Sequence, residues 1–400
     1  MMKKLMLLGG NRYQLPVIKI AHELGYYVIT TDYLSDNIAH KYSDEYCNAS
    51  ILDKDLILKE ASRLSIDGIM SFGCDPGVTT AAYVAEKLGL SSVGSYEAVS
   101  ILQNKGKFRK FLSDNGFNVP VAKQYKSKEE ALKDVDMYNW PIIVKPTDSA
   151  GSKGVTKVDN KQDLSKAIDF AIEKSFGKEF IIEDFLEKIG CSSDTDSFSV
   201  DGELRFVSFN AQRFDLNAKN PYAPSAYSWP STFTKEHELE LSGEIQRLIT
   251  LLGLKSSIYN IETRECVNGK AYIMECSPRG GGNRLAEMLK YATNMDLIKG
   301  AVMASVGEDV SFIKQKPYNG LWAEVILHSD KKGIYEDIWI DDSIKGNIIE
   351  EDLWVSKGDF VERFLAANNA IGTVVLKFDN KDKMNTVIDN IREYIHIIVR

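Results

Sequence analysis

The sequence predicts a multidomain fold that is α/β at its start and α+β thereafter. Three observations predict it. The first hundred residues alternate short apolar runs with helical patterns, the signature of a parallel sheet covered by helices on both faces. From about residue 119 the strands come in pairs joined by short turns. A chain of 400 residues is too long for one core and divides into two or three domains.

The elements follow in order. Residues 5–8 form a continuous apolar run that ends at Gly9-Gly10, and a helical pattern over 16–24 is stopped by Gly25. A strand over 27–30 runs on to Asp32, another covers 68–71, and a helix over 79–88 stops at Gly89. Residues 105–115 read as an amphipathic helix ended by Gly116. Then come a strand at 140–144, a Gly/Ser loop at 147–154, a strand at 155–158, a helix at 163–174 and a strand at 179–183. Residues 198–209 read as two short strands turned at Asp201-Gly202. Residues 217–232, rich in Pro, Tyr, Ala and Ser, read as a long irregular loop of the kind that usually carries function. A helix over 235–252 precedes a hairpin over 259–278, and a helix through Tyr291 follows Arg279-Gly280-Gly281-Gly282-Asn283. From residue 318 the chain is short strands and turns, with a last helix over 381–394.

Composition narrows the function. A formal net charge of -8 argues against a general nucleic-acid binder and against a basic membrane-surface protein. Cys47, Cys74, Cys191, Cys266 and Cys276 are scattered and form no Cys-x-x-Cys, so neither a zinc site nor a disulfide framework is expected, and a reducing cytoplasm fits. The apolar run at the start lacks a small-residue cleavage site and reads as a buried strand, not a signal peptide. No segment is long enough to span a membrane.

The hairpin carries the sharpest signal. Asn268-Gly269 marks a two-residue turn, which places Val267 opposite Lys270, Cys266 opposite Ala271 and, further out, Glu262 opposite Glu275. Two carboxylates facing each other repel, so a positive charge belongs between them. A hard divalent cation is one answer and salt bridges to surface lysines another. Asn260 faces Ser277 on the same side, while Ile261, Thr263, Met274 and Cys276 suit a core. Lys145 to Gly154 (KPTDSAGSKG) is either a phosphate cradle or an ordinary hairpin loop, and it is not a Walker A loop. Residues 181–187 (IIEDFLE) are an apolar strand leaving into an acidic–apolar stretch, either an ordinary strand end or a source of backbone hydrogen bonds and an apolar slot for a purine. Gly9-Gly10 with Asp32 resembles a dinucleotide fingerprint only weakly, and a tight strand-to-helix turn explains it better.

In this order and at these separations, the segments resemble the ATP-grasp superfamily, with further likeness to L-amino-acid ligases and to one half of the carbamoyl phosphate synthetase large subunit. The resemblance covers roughly residues 1–310. It implies a preATP-grasp parallel-sheet domain at 1–103, a two-part ATP-grasp domain at 104–310 with a small nucleotide-closing part near 120–187, and a small C-terminal α+β domain at 311–400. It also implies ATP and two magnesium ions. Lys105 and Lys145 match the lysines on the ATP phosphates, and Ser149, Gly151, Ser152 and Gly154 the loop over them. Glu183, Phe185 and Leu186 match the adenine hinge, and either Glu187 or Asp194 the acid on the ribose. Glu262 and Glu275 match the magnesium ligands, with Ser277 at a third position that is commonly Asn. Arg279 and Lys145 are the expected catalytic cations, and Gly281, Gly282 and Asn283 the expected substrate contacts, while Arg213 is either a further acceptor contact, with the loop at 220–227, or the ion-pair partner of Asp215 or another acid on the sheet.

The expected activity is a cytoplasmic Mg-ATP-dependent carboxylate–amine ligase that forms an acyl phosphate on an amino acid or small peptide. No side-chain nucleophile is needed, in keeping with the lack of any Ser-His or Cys-His constellation. The rivals are a carboxyphosphate-forming enzyme that uses bicarbonate and a non-catalytic ATP-binding module. The partners expected are small carboxylates and amines, with no nucleic acid and no membrane. The part from about residue 311 either covers the site or forms a homodimer surface.

Overall fold

The structure is a computed structural model that describes residues 2–149 and 153–400. Its N-terminal sheet is parallel, with strands in the order Glu45–Asn48, Tyr27–Asp32, Lys4–Leu8 and Gly68–Ser71. Helices Leu15–Glu23, Lys54–Leu64 and Val78–Leu88 alternate with these strands. Glu45–Asn48 was not expected, because EYCN has no apolar run and becomes a strand only by pairing with Tyr27–Asp32. Gly9 takes φ +110, and a Cβ there would sit 2.6 Å from Gln14 Nε2, so the glycine serves a tight strand-to-helix turn. Asp32 accepts from the Leu34 N–H (3.0 Å) and Asn37 Nδ2 (3.3 Å) of its own loop.

A small antiparallel sheet follows, ordered Ala122–Tyr125, Phe180–Asp184, Ile142–Pro146, Thr156–Val158. The period of two sorts its side chains. Ile142, Val144, Phe180 and Ile182 bury against helix Lys161–Lys174. Lys145, Ile181 and Glu183 therefore point to the other side, towards the rest of the protein.

The central sheet is ordered Glu203–Phe206, Ser193–Val200, Ser257–Glu265, Ala271–Ser277, and helix Lys235–Leu251 packs on one side of it. A five-stranded sheet is ordered Ala211–Phe214, Pro224–Trp229, Leu321–Leu327, Gly372–Phe378, Ile348–Leu353. It joins strands from both sides of residue 311, so the last ninety residues share a sheet with the segment before them. Six of the sixteen residues of the expected loop at 217–232 thus form a strand, Pro224–Trp229. Its Pro, Ala and Ser residues read as a turn, but Ala226, Tyr227 and Trp229 are wholly buried between two partner strands. The last expected helix is two, Lys381–Asp389 and Ile391–Tyr394, broken at Asn390 and followed by strand Ile395–Val399. Among the described residues no helix is long and apolar enough to cross a membrane.

Candidate active site

The hairpin is built from strands Ser257–Glu265 and Ala271–Ser277 and pairs Glu262 with Glu275 and Asn260 with Ser277. It reaches that register by a different route from the one expected. Gly269, at φ +74, donates its N–H to Cys266 O (2.9 Å), and Cys266 donates to Lys270 O (3.0 Å). The loop therefore has three residues, with glycine in the left-handed position. Glu265, not Cys266, faces Ala271. A bulge between Glu262 and Thr263 on one strand and Ile273 and Glu275 on the other takes up Met274 and restores the outer register. It also groups Met274 with Leu186, Cys266 and Tyr272, while Ile261, Ile273 and Cys276 stay in the core beneath helix Lys235–Leu251.

Strand Ser193–Val200 extends this polar face by one strand. It sets Asp194 beside Glu262 and Asp196 beside Asn260. One row across three strands is thus Asp194, Glu262, Glu275, and the next is Asp196, Asn260, Ser277. Burial, with Glu262 nearby, pushes the Asp194 carboxyl up to about 7, and burial pushes Asp196 up to about 7. Asp194 accepts from Asn260 Nδ2 (2.8 Å) and Asp196 from the Gly281 N–H (2.8 Å). Asp196 Oδ2 is buried without a hydrogen-bond partner among the described residues. These residues gather hard oxygen donors and excess negative charge on one face.

Cations face this row from helix Lys105–Asp114, whose first turn is capped by Asn104 (2.9 Å to the Lys107 N–H). Lys105 and Arg109, one turn apart, share a face of that helix. Lys105 Nζ meets Glu275 Oε1 (3.1 Å) and donates to Ser149 O (3.0 Å). Burial opposes the charge of Glu275, but Lys105 and Lys145 outweigh it and hold its carboxyl below the usual range. Arg109 Nε meets Glu183 Oε2 (2.8 Å), and Arg109 Nη1 donates to Met274 O (2.8 Å). Lys145 pairs with the other Glu183 oxygen. Burial opposes the Glu183 charge, yet Arg109 and Lys145 bring its carboxyl down to about 2. Glu183 therefore acts as the anion that holds two cations at the cleft, and its side chain is not free for a purine.

The neighbouring segments complete the cleft. Phe185 donates its N–H to Pro141 O (3.0 Å) and carries Lys157 over its ring (4.8 Å). Leu186 lies against Met274 and Tyr272, and the side chain of Glu187 is exposed. Ser149 Oγ donates to Lys153 O (2.8 Å), and Gly154 takes φ +78 against Pro146 and Lys174. Gly151 and Ser152 lie outside the described residues.

The far wall comes from the N-terminal part. Asp75 accepts from Arg279 Nε (2.8 Å) and Nη2 (2.7 Å) and from Ser277 Oγ (2.8 Å). Gln103 Nε2 donates to the same hydroxyl (2.7 Å). Arg279 also donates to Asn260 Oδ1 (3.0 Å). Burial opposes the Asp75 charge, but Arg279 and Ser277 hold its carboxyl low. The three glycines are used for contact. A Cβ on Gly280 would lie 2.1 Å from Phe72 Cε2, and one on Gly281 3.0 Å from Asp196 Oδ1. Gly282 packs on Tyr13, whose hydroxyl donates to Asn283 Oδ1 (2.9 Å).

Arg213 takes up the ion-pair reading and not the acceptor one, although its acid comes from a helix and not from the sheet. It meets Asp389 (2.6 Å), Ser228 Oγ (2.8 Å) and Asn385 (3.3 Å), so it ties the five-stranded sheet to helix Lys381–Asp389 and does not line the cleft. A second acidic cluster of Asp215, His328 and Asp330 is closed by Arg392, which bonds both aspartates. Arg109, Asp75 and Asp196 were missed in the sequence. Their roles depend on partners distant along the chain, and no local pattern marks them.

A small sheet set over a larger one, with paired glutamates opposite clustered cations between them, is the two-part layout of the ATP-grasp fold. Residues 138–287 match the family model described as the ATP-grasp domain, so the chain carries an ATP-grasp domain. It is 29% identical over 201 residues to a formate-dependent phosphoribosylglycinamide formyltransferase of Prochlorococcus marinus (strain NATL2A), a match that covers 46% of this chain and 48% of that protein. It is 25% identical over 248 residues to a carbamoyl phosphate synthase large chain of Thermoanaerobacter sp. (strain X514), covering 60% of this chain and 22% of the relative. The chain thus spans half or less of the curated relatives it matches. The crystal structure of an L-amino acid ligase from Bacillus licheniformis superposes with a TM-score of 0.81 at 19% identity, covering 100% of this chain and 99% of the other, which establishes a shared fold.

Proposed function

We propose that this protein is a Mg-ATP-dependent ligase that activates a small carboxylate as an acyl phosphate and joins it to an amine. The observation that supports this best is the row Asp194, Glu262, Glu275 set opposite Lys105 and beside Arg279. The oxygen donors and their surplus of negative charge fit magnesium, and Glu262 and Glu275 would hold it. When bound, magnesium would neutralise charge on the phosphoryl oxygens.

The rest falls to the chain's own residues. Lys105 and Lys145 offer charge to phosphate oxygens. Leu186, Met274 and Tyr272 offer an apolar slot of the kind that receives a purine. Arg279, fixed by Asp75, stabilises the charge that develops on the transferred group. The substrate carboxylate attacks the γ-phosphorus, the bond to the leaving ADP oxygen breaks, and an acyl phosphate results. The amine then attacks the acyl carbon, a C–N bond forms, and phosphate leaves. Gly281, Gly282 and Asn283 stand where the acceptor would meet that carbon.

The test is phosphate release from Mg-ATP across a panel of single and paired amino acids, small carboxylic acids and bicarbonate. Release that requires one acid and rises with one amine is expected. Glu262→Gln and Glu275→Gln should each abolish it while the protein stays folded. ATP binding with no release under any pair would leave a non-catalytic nucleotide module in place of the ligase. The similarity to carbamoyl phosphate synthase favours a second reading, carboxyphosphate formation, and release with bicarbonate alone would establish that one.

A further inference from the structure

The five-stranded sheet carries one row of residues across all its strands, on the face that meets helix Leu285–Thr293. Register sets Gln212, Tyr227, Glu324, Val375 and Glu350 side by side. At one end Gln212 Nε2 and the Tyr227 hydroxyl reach Asp194 of the polar face (3.2 and 3.4 Å). Glu324 comes next. It has no exposed surface, and neither of its carboxylate oxygens has a hydrogen-bond partner among the described residues. A buried carboxyl left unpaired is among the costliest groups a core can hold. Glutamine would supply its own donor at this position, and leucine would simply pack.

The surroundings say what is missing. Arg284, at the start of helix Leu285–Thr293, meets Glu350 (2.8 Å) and Glu287 (3.3 Å) and donates to Thr373 Oγ1 (2.9 Å). One guanidinium thus serves a group of three carboxylates, Glu287, Glu324 and Glu350, and it is already engaged. The group is short of positive charge. Burial pushes the Glu324 carboxyl well above its usual range, with Glu287 and Glu350 adding to the push against Arg284. This carboxylate group also adjoins the segment Gly281–Asn283 proposed to meet the acceptor. Asn283, just before Arg284, donates to the Tyr227 hydroxyl (3.2 Å) and accepts from the Tyr13 hydroxyl (2.9 Å). Both tyrosines lie within the field of Glu324.

We propose that Glu324 is the counter-ion for a cationic ammonium group of the second substrate, which enters beside Tyr13, Tyr227 and Asn283. This rests on the ligase reading and narrows it to acceptors that are positively charged at neutral pH. An ammonium would give both orphaned oxygens a donor and offset the surplus negative charge in one contact. An uncharged amide or alcohol would do neither.

Two readouts on the full chain test this separately from catalysis. The first is the shift in Tm caused by L-lysine, 1,4-diaminobutane, L-alanine and, as an uncharged control, acetamide, for the unaltered protein, Glu324→Gln and Glu324→Leu. Amines should raise the Tm of the unaltered protein and leave both variants unmoved. If L-alanine acts as well as the diamines, Glu324 reads the attacking amine. If only the diamines and L-lysine act, it reads a second, side-chain ammonium. The second readout is steady-state phosphate release, where Glu324→Gln should raise the amine KM by about tenfold or more and leave the KM for ATP in place. An amine-induced Tm shift that survives in both variants, or no shift in the unaltered protein, would overturn the proposal. Silence in the release assay for every acid–amine pair would sink the ligase reading instead, and the Tm arm would still decide the role of Glu324.

Discussion

Replacing Arg109 with methionine should loosen the cleft and cost a measurable share of stability. Arg109 and Glu183 are 5% and 3% exposed as side chains and meet at 2.8 Å. The Glu183 carboxyl lies at about 2 in the folded protein against an ordinary 4.5. At about 1.4 kcal/mol for each unit, the pairing of Glu183 with its two cations is worth about 3 kcal/mol of stability at neutral pH. Lys145 keeps part of that in Arg109→Met. The substitution also leaves Met274 O without its donor, at about 1 kcal/mol. The expected loss is therefore about 2–4 kcal/mol, read as a lower urea midpoint by circular dichroism. The sign with pH follows from the lowered carboxyl. Its contribution is complete above pH 4.5 and drains away as pH falls towards about 2, so the gap between the two proteins should narrow on acidification. A gap under about 0.5 kcal/mol at neutral pH, or one that stays constant as the pH is lowered, would refute the reasoning.

Two further outcomes follow from the geometry. Asp75→Asn removes the carboxylate that holds Arg279 from two nitrogens, so kcat for phosphate release should fall by about tenfold or more with the KM for ATP little changed, and an unchanged kcat would show that Arg279 needs no such support. Gly280→Ala would press a methyl group against Phe72, whose ring lies 2.1 Å from the added carbon, and should cost about 1–3 kcal/mol, read by calorimetry as a lower Tm.

Much of this was legible in the sequence, and the limits have a common cause. Apolar runs punctuated by glycine announced the parallel sheet, because each strand and helix there carries its own pattern. Asn268-Gly269 located the hairpin and its facing glutamates, although the turn and the bulge at Met274 had to offset each other for the outer register to hold. What stayed hidden depends on pairing across long separations. Arg109 finds Glu183 across 74 positions and Met274 across 165, and Asp75 finds Arg279 across 204. Local periodicity carries no trace of such partners. The two readings of Arg213 stayed open for the same reason, since its acid is Asp389, 176 positions further along the chain. Strand Pro224–Trp229 looked like a loop because its residues take on strand character only between two neighbours.

That strand has a bearing on how the protein is made. Pro224–Trp229 leaves the ribosome with Ala211–Phe214 as its only neighbour of the finished sheet, and Leu321–Leu327, which covers its other edge, is synthesised much later. Until then Tyr227 and Trp229, wholly buried at the end, wait on an open edge with its amide and carbonyl groups unclaimed. The cleft also waits, because Tyr227 is one of the two residues, with Gln212, through which this sheet touches Asp194. The polar face lies near the middle of the chain, but the strand that closes the sheet beside it, Leu321–Leu327, comes about ninety residues after Trp229.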